Sequence, residues 1–135
     1  MTKKQIVWFE EVDKEDVGLV GGKGANLGEM LRAHFPVPYG FIVTSHAYFD
    51  FIEHNHLKNK MTDCLSSVNY ENQSDLRKAS TTIKKMILQT HISHELVKNI
   101  VSYYDTLRSR EDKIFNTFHA GSSAMTRLKD IYDSP

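Results

Sequence analysis

The run Val20-Gly21-Gly22-Lys23-Gly24-Ala25-Asn26-Leu27-Gly28-Glu29-Met30 constrains this chain most, because three glycines and a lysine stand directly before an amphipathic segment. Glycines lack Cβ and let backbone N–H groups approach an anion. A helix N-terminus supplies unsatisfied donors and partial positive charge, and Lys23 adds a full charge. Such a run can hold a phosphate. It is not a Walker-type loop: Gly18 and Gly22 are four apart where that motif needs five, and Gly24 stands where it needs Ser or Thr for magnesium. Nor is it the dinucleotide fingerprint, since Leu27 takes the place of the third glycine after Gly22 and Gly24. The same residues also satisfy a plain turn and helix start with a solvated lysine.

Hydrophobic periodicity supplies the outline around this run. Gln5 to Glu10 is expected to be a strand, and Gly24 to about Ala33 a helix with Leu27, Met30 and Leu31 on one face, ended by Pro36 and Pro38. Gly40 to Thr44 has the β-branched and aromatic content of a buried strand, and helical spacing returns from His46 to about Asn55 through Ala47, Tyr48, Phe51 and Ile52. Residues 59–73 are polar with scattered apolar positions and define no clear element. Leu76, Ala79, Ile83, Met86 and Ile87 make a helical stripe with Ser74 as its N-cap. Ser93 is expected to cap the next helix, with Ile92 and Val97 placed as a hydrophobic staple and Leu96, Val97, Ile100, Val101, Tyr104 and Leu107 facing inward. These stripes read as core. Arg108 to Lys113 reads as a charged connection before a strand at Ile114 to Phe118. The class is α+β, short strands with several helices, and no repeat, low-complexity tract or interdomain linker divides it.

Composition limits what the chain can meet. Its 135 residues can bury roughly two-thirds of their unfolded surface, enough for one core. With 17 basic and 17 acidic residues the formal net charge is zero, so no global field gathers nucleic acid or an anionic membrane, and neither is expected as a partner. A phosphate site here must be local. Cys64 is the single cysteine, which excludes an internal disulfide and fits a reducing cytoplasm. The apolar run Ile6 to Phe9 is too short for a signal-peptide core or a membrane span, so the expected location is the cytoplasm.

Seven histidines invite a metal reading, but spacing opposes it. His54 and His56 diverge on a helix, and His91 and His94 have no third ligand beyond the adjacent Glu95. The acidic pairs Glu10-Glu11 and Glu15-Asp16 read as solvated surface, so no metal ligand is nominated.

Three segments in order carry a resemblance: Ile6-Val7-Trp8-Phe9, then Val20 to Met30, then Pro36-Val37-Pro38-Tyr39-Gly40-Phe41-Ile42-Val43-Thr44. Together they resemble the start of the phosphoenolpyruvate synthase (pyruvate, water dikinase) and pyruvate phosphate dikinase family, whose beginning the rifampicin phosphotransferases share. The likeness continues more weakly through Ala47-Tyr48-Phe49-Asp50-Phe51 and Ile87-Leu88-Gln89-Thr90 to about Leu107. Residues 1–56 are the best match, 57–113 a helical stretch, and 114–135 a divergent tail, so the whole reads as a partial N-terminal nucleotide-binding domain.

The resemblance implies the N-terminal lobe of an ATP-grasp-like domain. In that family phosphate passes from ATP to a histidine and then to pyruvate, with magnesium. ATP is the implied ligand here, while the magnesium ligands, the phosphohistidine and the pyruvate site belong to parts that 135 residues do not hold. Lys23 inherits the family lysine's contact with the nucleotide phosphates, among Gly21, Gly22 and Gly24. Further on the family has Val-Arg-Ser-Ser-Ala-Thr, and the nearest stretch here is His119-Ala120-Gly121-Ser122-Ser123-Ala124-Met125-Thr126. Ser122 and Ser123 then align with the family's serines and are expected at the nucleotide. Gly121 replaces the arginine and removes a bidentate clamp on phosphate. Thr44-Ser45-His46-Ala47 looks like the family's phosphohistidine segment, yet Ile42 and Val43 precede it where that segment has glycines. His46 therefore reads as a helix-start residue, no catalytic residue is nominated, and the chain alone is expected not to turn over. Two alternatives stay open: a rifampicin phosphotransferase-like segment, and a non-catalytic stand-alone binding module.

Overall fold

The computed structural model describes residues 4–119, with side chains described for 4–113. The chain opens with β1 (Ile6–Trp8), which pairs antiparallel with β2 (Phe41–Val43) in the register Ile6 to Val43, Val7 to Ile42 and Trp8 to Phe41. Residues directly opposite in such a pair share a face. Ile6, Trp8 and Phe41 thus look one way, and Val7 and Ile42 the other. The strand expected from Gln5 to Glu10 is shorter because the Glu11 carboxylate accepts from the Trp8 N–H at 2.7 Å, curling Phe9–Glu11 into a 3₁₀ turn. A second 3₁₀ turn, Lys14–Asp16, is boxed by Asp13, which accepts from the Glu15 N–H at 2.8 Å and gives its own N–H to Asp16 at 3.0 Å.

Five helices follow. The first, α1 (Val17–Arg32), is interrupted at Gly21. It ends in a paired-carbonyl turn: His34 N–H donates to Leu31 O at 3.1 Å and Phe35 N–H to Met30 O at 3.0 Å, with His34 held at a left-handed φ of 61°. Helix α2 (Ser45–His54) is capped by Thr44, and α3 (Leu57–Ser66) occupies part of the stretch the sequence left without an element. Helix α4 (Gln73–Leu88) starts two residues earlier than expected. Asn72 rather than Ser74 is its N-cap, the amide oxygen accepting from Ser74 and Asp75 N–H groups at 2.9 and 3.4 Å. Helix α5 (His94–His119) is capped by Ser93, whose hydroxyl accepts from Leu96 N–H at 3.2 Å. It continues through Arg108–Lys113 and the residues expected as a strand, 114–118, so that strand is replaced by helix. A short apolar run does not by itself separate the two, and Arg, Glu and Lys before it favour helix continuation.

The small sheet lies between α1 and α5. On one face Ile6 and Ala47 are buried with Leu96, and Phe41, Ile100 and Tyr103 pack against them. Trp8 stacks on Tyr103 at 4.9 Å between ring centroids and meets Phe41 edge-on at 5.8 Å. The Arg110 guanidinium lies 4.2 Å from the Trp8 ring centre and pairs with Glu10 at 2.6 Å, clasping α5 to the sheet from its far end. The inward stripe of α5 is accordingly Leu96, Ile100, Tyr103 and Leu107, while Val97, Val101 and Tyr104, expected inside, are exposed. Two adjacent apolar stripes fit the same period, and the position of the sheet selects one. On the other face Gly24 and Gly28 of α1 press against Ile42 and against Val12.

Candidate functional site

Gly21 decides the shape of the glycine-rich run. At φ 72° and ψ 167° it adopts a backbone that L side chains rarely enter, and the helix breaks there. Val17–Val20 becomes a short helical turn, and the longer helical stretch restarts at Gly22-Lys23-Gly24. A restarting helix presents its first N–H groups without intrahelical acceptors and with the positive end of the dipole. The sequence placed the helix start at Gly24 and missed the turn before the break.

The glycines divide by what surrounds them. A Cβ built on Gly21 or Gly22 meets nothing within 4 Å, and both residues are exposed. That is an open approach to backbone donors. Gly24 is different: its Cβ would lie 2.9 Å from both Ile42 Cδ1 and Val20 Cβ, and the residue is buried. Its side-chain position faces protein, which leaves its N–H as the group able to serve a ligand. Lys23 is exposed, and among the described residues its side chain has no hydrogen bond or ion pair. Gly121, Ser122 and Ser123 lie outside the described residues.

Four of the acids before the run are already engaged. Glu11 takes Lys4 Nζ at 2.6 Å, Glu10 takes Arg110, Asp13 takes Arg32 at 3.0 Å, and Asp16 accepts from the Asp13 N–H. Among the described residues no three His, Cys, Asp or Glu side chains converge to hold a metal ion. The exposed backbone at Gly21 and Gly22 and the Lys23 ammonium offer donors of the kind an anion requires.

The turn before the break is tied from outside. Ser45, the first residue of α2, donates its hydroxyl to Gly18 O at 2.9 Å across 27 positions of sequence. Its neighbour Thr44, 2% exposed, donates to Lys4 O at 2.8 Å and caps α2 at Ala47 N–H. His46 occupies the first turn of α2, as read from the sequence. The role of Ser45 escaped that reading, because no spacing rule links a helix-start serine to a carbonyl in another element.

With this geometry in view, comparison with known proteins is decisive for ancestry. Residues 17–130 match the model of the pyruvate phosphate dikinase AMP/ATP-binding domain. This chain belongs to that family. Among the described residues the match takes in β2 and the five helices of this α+β fold, and β1 precedes it. Among its relatives, a probable phosphoenolpyruvate synthase of Staphylothermus marinus is 44% identical over 108 residues, 80% of this chain and 13% of that protein. A second, of Methanothermobacter thermautotrophicus, is 33% identical over 123 residues, 90% of this chain and 18% of that protein. A third, of Pyrococcus abyssi, reaches 64% over 53 residues, 39% of this chain and 6% of that protein. The chain thus spans less than a fifth of the length of these relatives. No helix among the described residues is long and apolar enough to cross a membrane.

Proposed function

We propose that this chain is the ATP-binding segment of a phosphoenolpyruvate synthase-like phosphotransferase, with the phosphates seated on the Gly21-Gly22-Lys23-Gly24 run. The observation that carries the reading is the helix break at Gly21, which sets open space at Gly21 and Gly22 beside a lysine that is unpaired among the described residues. Backbone N–H groups of Gly22, Lys23 and Gly24 serve the phosphates as uncharged donors, and Lys23 adds a charge-assisted hydrogen bond. Ser122 and Ser123 are proposed as further contacts on the strength of the resemblance alone. Magnesium would accompany the nucleotide and neutralise phosphate charge, with its protein ligands outside the described residues.

The names of the relatives support pyruvate, rather than rifampicin, as the acceptor of the whole protein. Acceptor and phosphohistidine then belong to parts not included in the matched segment, and this chain contributes nucleotide binding without turnover. Balanced charge and a single, half-buried cysteine support a cytoplasmic setting.

Isothermal titration with ATP tests the site. Lys23→Ala is expected to lose about 1.5–3 kcal/mol of binding free energy, the scale of a hydrogen bond to a charged group. Equal affinities for the two forms would remove Lys23 and this run from the nucleotide site.

A further inference from the structure

The geometry points to Ser45 as a positioning residue for the phosphate-binding turn, an inference that rests on the reading of the Gly21–Gly24 run as the phosphate site. Two hydroxyls stand side by side at the start of α2, and they face different tasks. Thr44 is the N-cap: its Oγ1 accepts from the Ala47 N–H and donates inward to the carbonyls of Lys4 and Gln5. Thr44 thereby fills the N-cap role of α2. Ser45 is therefore not needed by its own helix, and its Oγ donates to Gly18 O at 2.9 Å instead.

The acceptor lies where it matters. Gly18 belongs to the short helical turn that ends at the break, and the last carbonyls of a helical segment have no intrahelical donor. Satisfying one of them from α2 fixes the direction in which the chain enters Gly21. Neither Gly18, Gly21 nor Gly22 has a neighbour within 4 Å of its Cβ position, so side-chain packing does not hold these residues in place. On the downstream side Gly24 is wedged between Ile42 and Val20. The turn is thus fixed after the break by packing, and before it by the contact of Val20 with Gly24 together with the Ser45 hydroxyl on Gly18. Removing the hydroxyl leaves the Gly18 end held by Val20 alone and loosens the N–H groups meant for phosphate.

The test uses the full chain with Ser45→Ala, Ser45→Thr and Lys23→Ala, titrated with ATP and with AMP, and amide hydrogen exchange at Gly21 to Gly24. Ser45→Ala is expected to weaken ATP binding about two- to tenfold, the range of one neutral hydrogen bond, and to weaken AMP binding less. Ser45→Thr should restore ATP affinity to within about twofold. Exchange at Gly22–Gly24 should quicken in Ser45→Ala while that of α4 stays as it was. A purely architectural serine would leave the ratio of ATP to AMP affinity unchanged. An unchanged ratio together with unchanged local exchange overturns the proposal. Insensitivity of Ser45→Ala with loss in Lys23→Ala sinks the serine alone, whereas insensitivity of Lys23→Ala sinks the phosphate site and the serine's role with it.

Discussion

Residues 4–56 and residues 57–113 are held by different means. In the first region glycine backbones are approached so closely that a side chain is excluded: a Cβ on Gly28 would lie 2.2 Å from the Val12 carbonyl oxygen, and one on Gly40 would lie 2.4 Å from the Phe9 ring. In the second, helices meet through spaced side chains, and Leu57, Ala79 and Leu96 are its buried apolar residues. Large apolar groups there stay exposed, among them Ile92, Val97, Val101 and Tyr104, and Leu88 most of all at 84%. The contrast teaches that the glycines of this family motif are first a statement about packing. Gly24 is dictated by the side chains of Ile42 and Val20 and Gly28 by the Val12 backbone, and within the motif only Gly21 and Gly22 are left open for a ligand. In the helical region residue identity is dictated only by which side of a helix faces inward.

The sharpest way to break this comparison is to change one side chain in each region. Gly28→Ala puts a carbon into the Val12 carbonyl, which has no flexible end to move, and should cost about 3 kcal/mol in denaturant unfolding, the upper range for overpacking. Leu88→Ala removes a mostly solvated side chain and should change stability by less than about 0.5 kcal/mol. Similar losses for the two would erase the distinction.

A smaller effect sharpens it within the first region. His34 occupies the left-handed position that ends α1, at φ 61°, where glycine has no steric penalty. His34→Gly should therefore raise stability by about 0.5–1 kcal/mol, read as a higher unfolding midpoint. A lower midpoint would mean that the imidazole, rather than the backbone turn, holds this corner.

The smallest effect concerns charge. Burial pushes the Glu11 carboxyl up, but the hydrogen bonds from Lys4 and the Trp8 N–H, with the charges of Lys4 and Arg110, outweigh it and hold the group below its ordinary value of 4.5. A lowered folded value means that the stabilisation is present above the unfolded value and is lost as pH falls through the folded one. Unfolding midpoints of the wild type and Glu11→Gln should differ at neutral pH and converge in acid. A gap that persists down to about pH 3 would show that shape, not ionisation, is what Glu11 supplies.

Legibility followed the same divide. Elements tied to glycine, proline and capping chemistry were readable: β1, β2, the core of α1, α2 with His46 in its first turn, and Ser93 as the α5 cap. The Gly21 break was not, because a glycine-rich run announces permissive backbone without saying which residue uses it. Asn72 displaced Ser74 as the α4 cap, a difference of two positions between residues of equal capping ability. The α5 stripe was read too wide: Leu96, Ile100 and Leu107 face inward as expected, but Val97, Val101 and Tyr104 do not, and only the location of Trp8 and Phe41 selects Tyr103. At the candidate site, Lys23, Gly21 and Gly22 stood out in the sequence by residue type. Ser45 did not, since its meaning comes from Gly18, far away in the chain.

The two faces of β2 give the small sheet a form of proofreading. Three residue pairs make a weak register code, and a slip by one residue turns every side chain to the opposite face. Here such a slip would bring Phe41 or Val43 against Gly24, where even the Ile42 terminus leaves no room for a methyl group. It would also pull the Phe41 ring away from Trp8 and Tyr103. A wrong pairing is penalised on both sides at once, so the strand that supports the glycine run checks its own alignment before any ligand arrives.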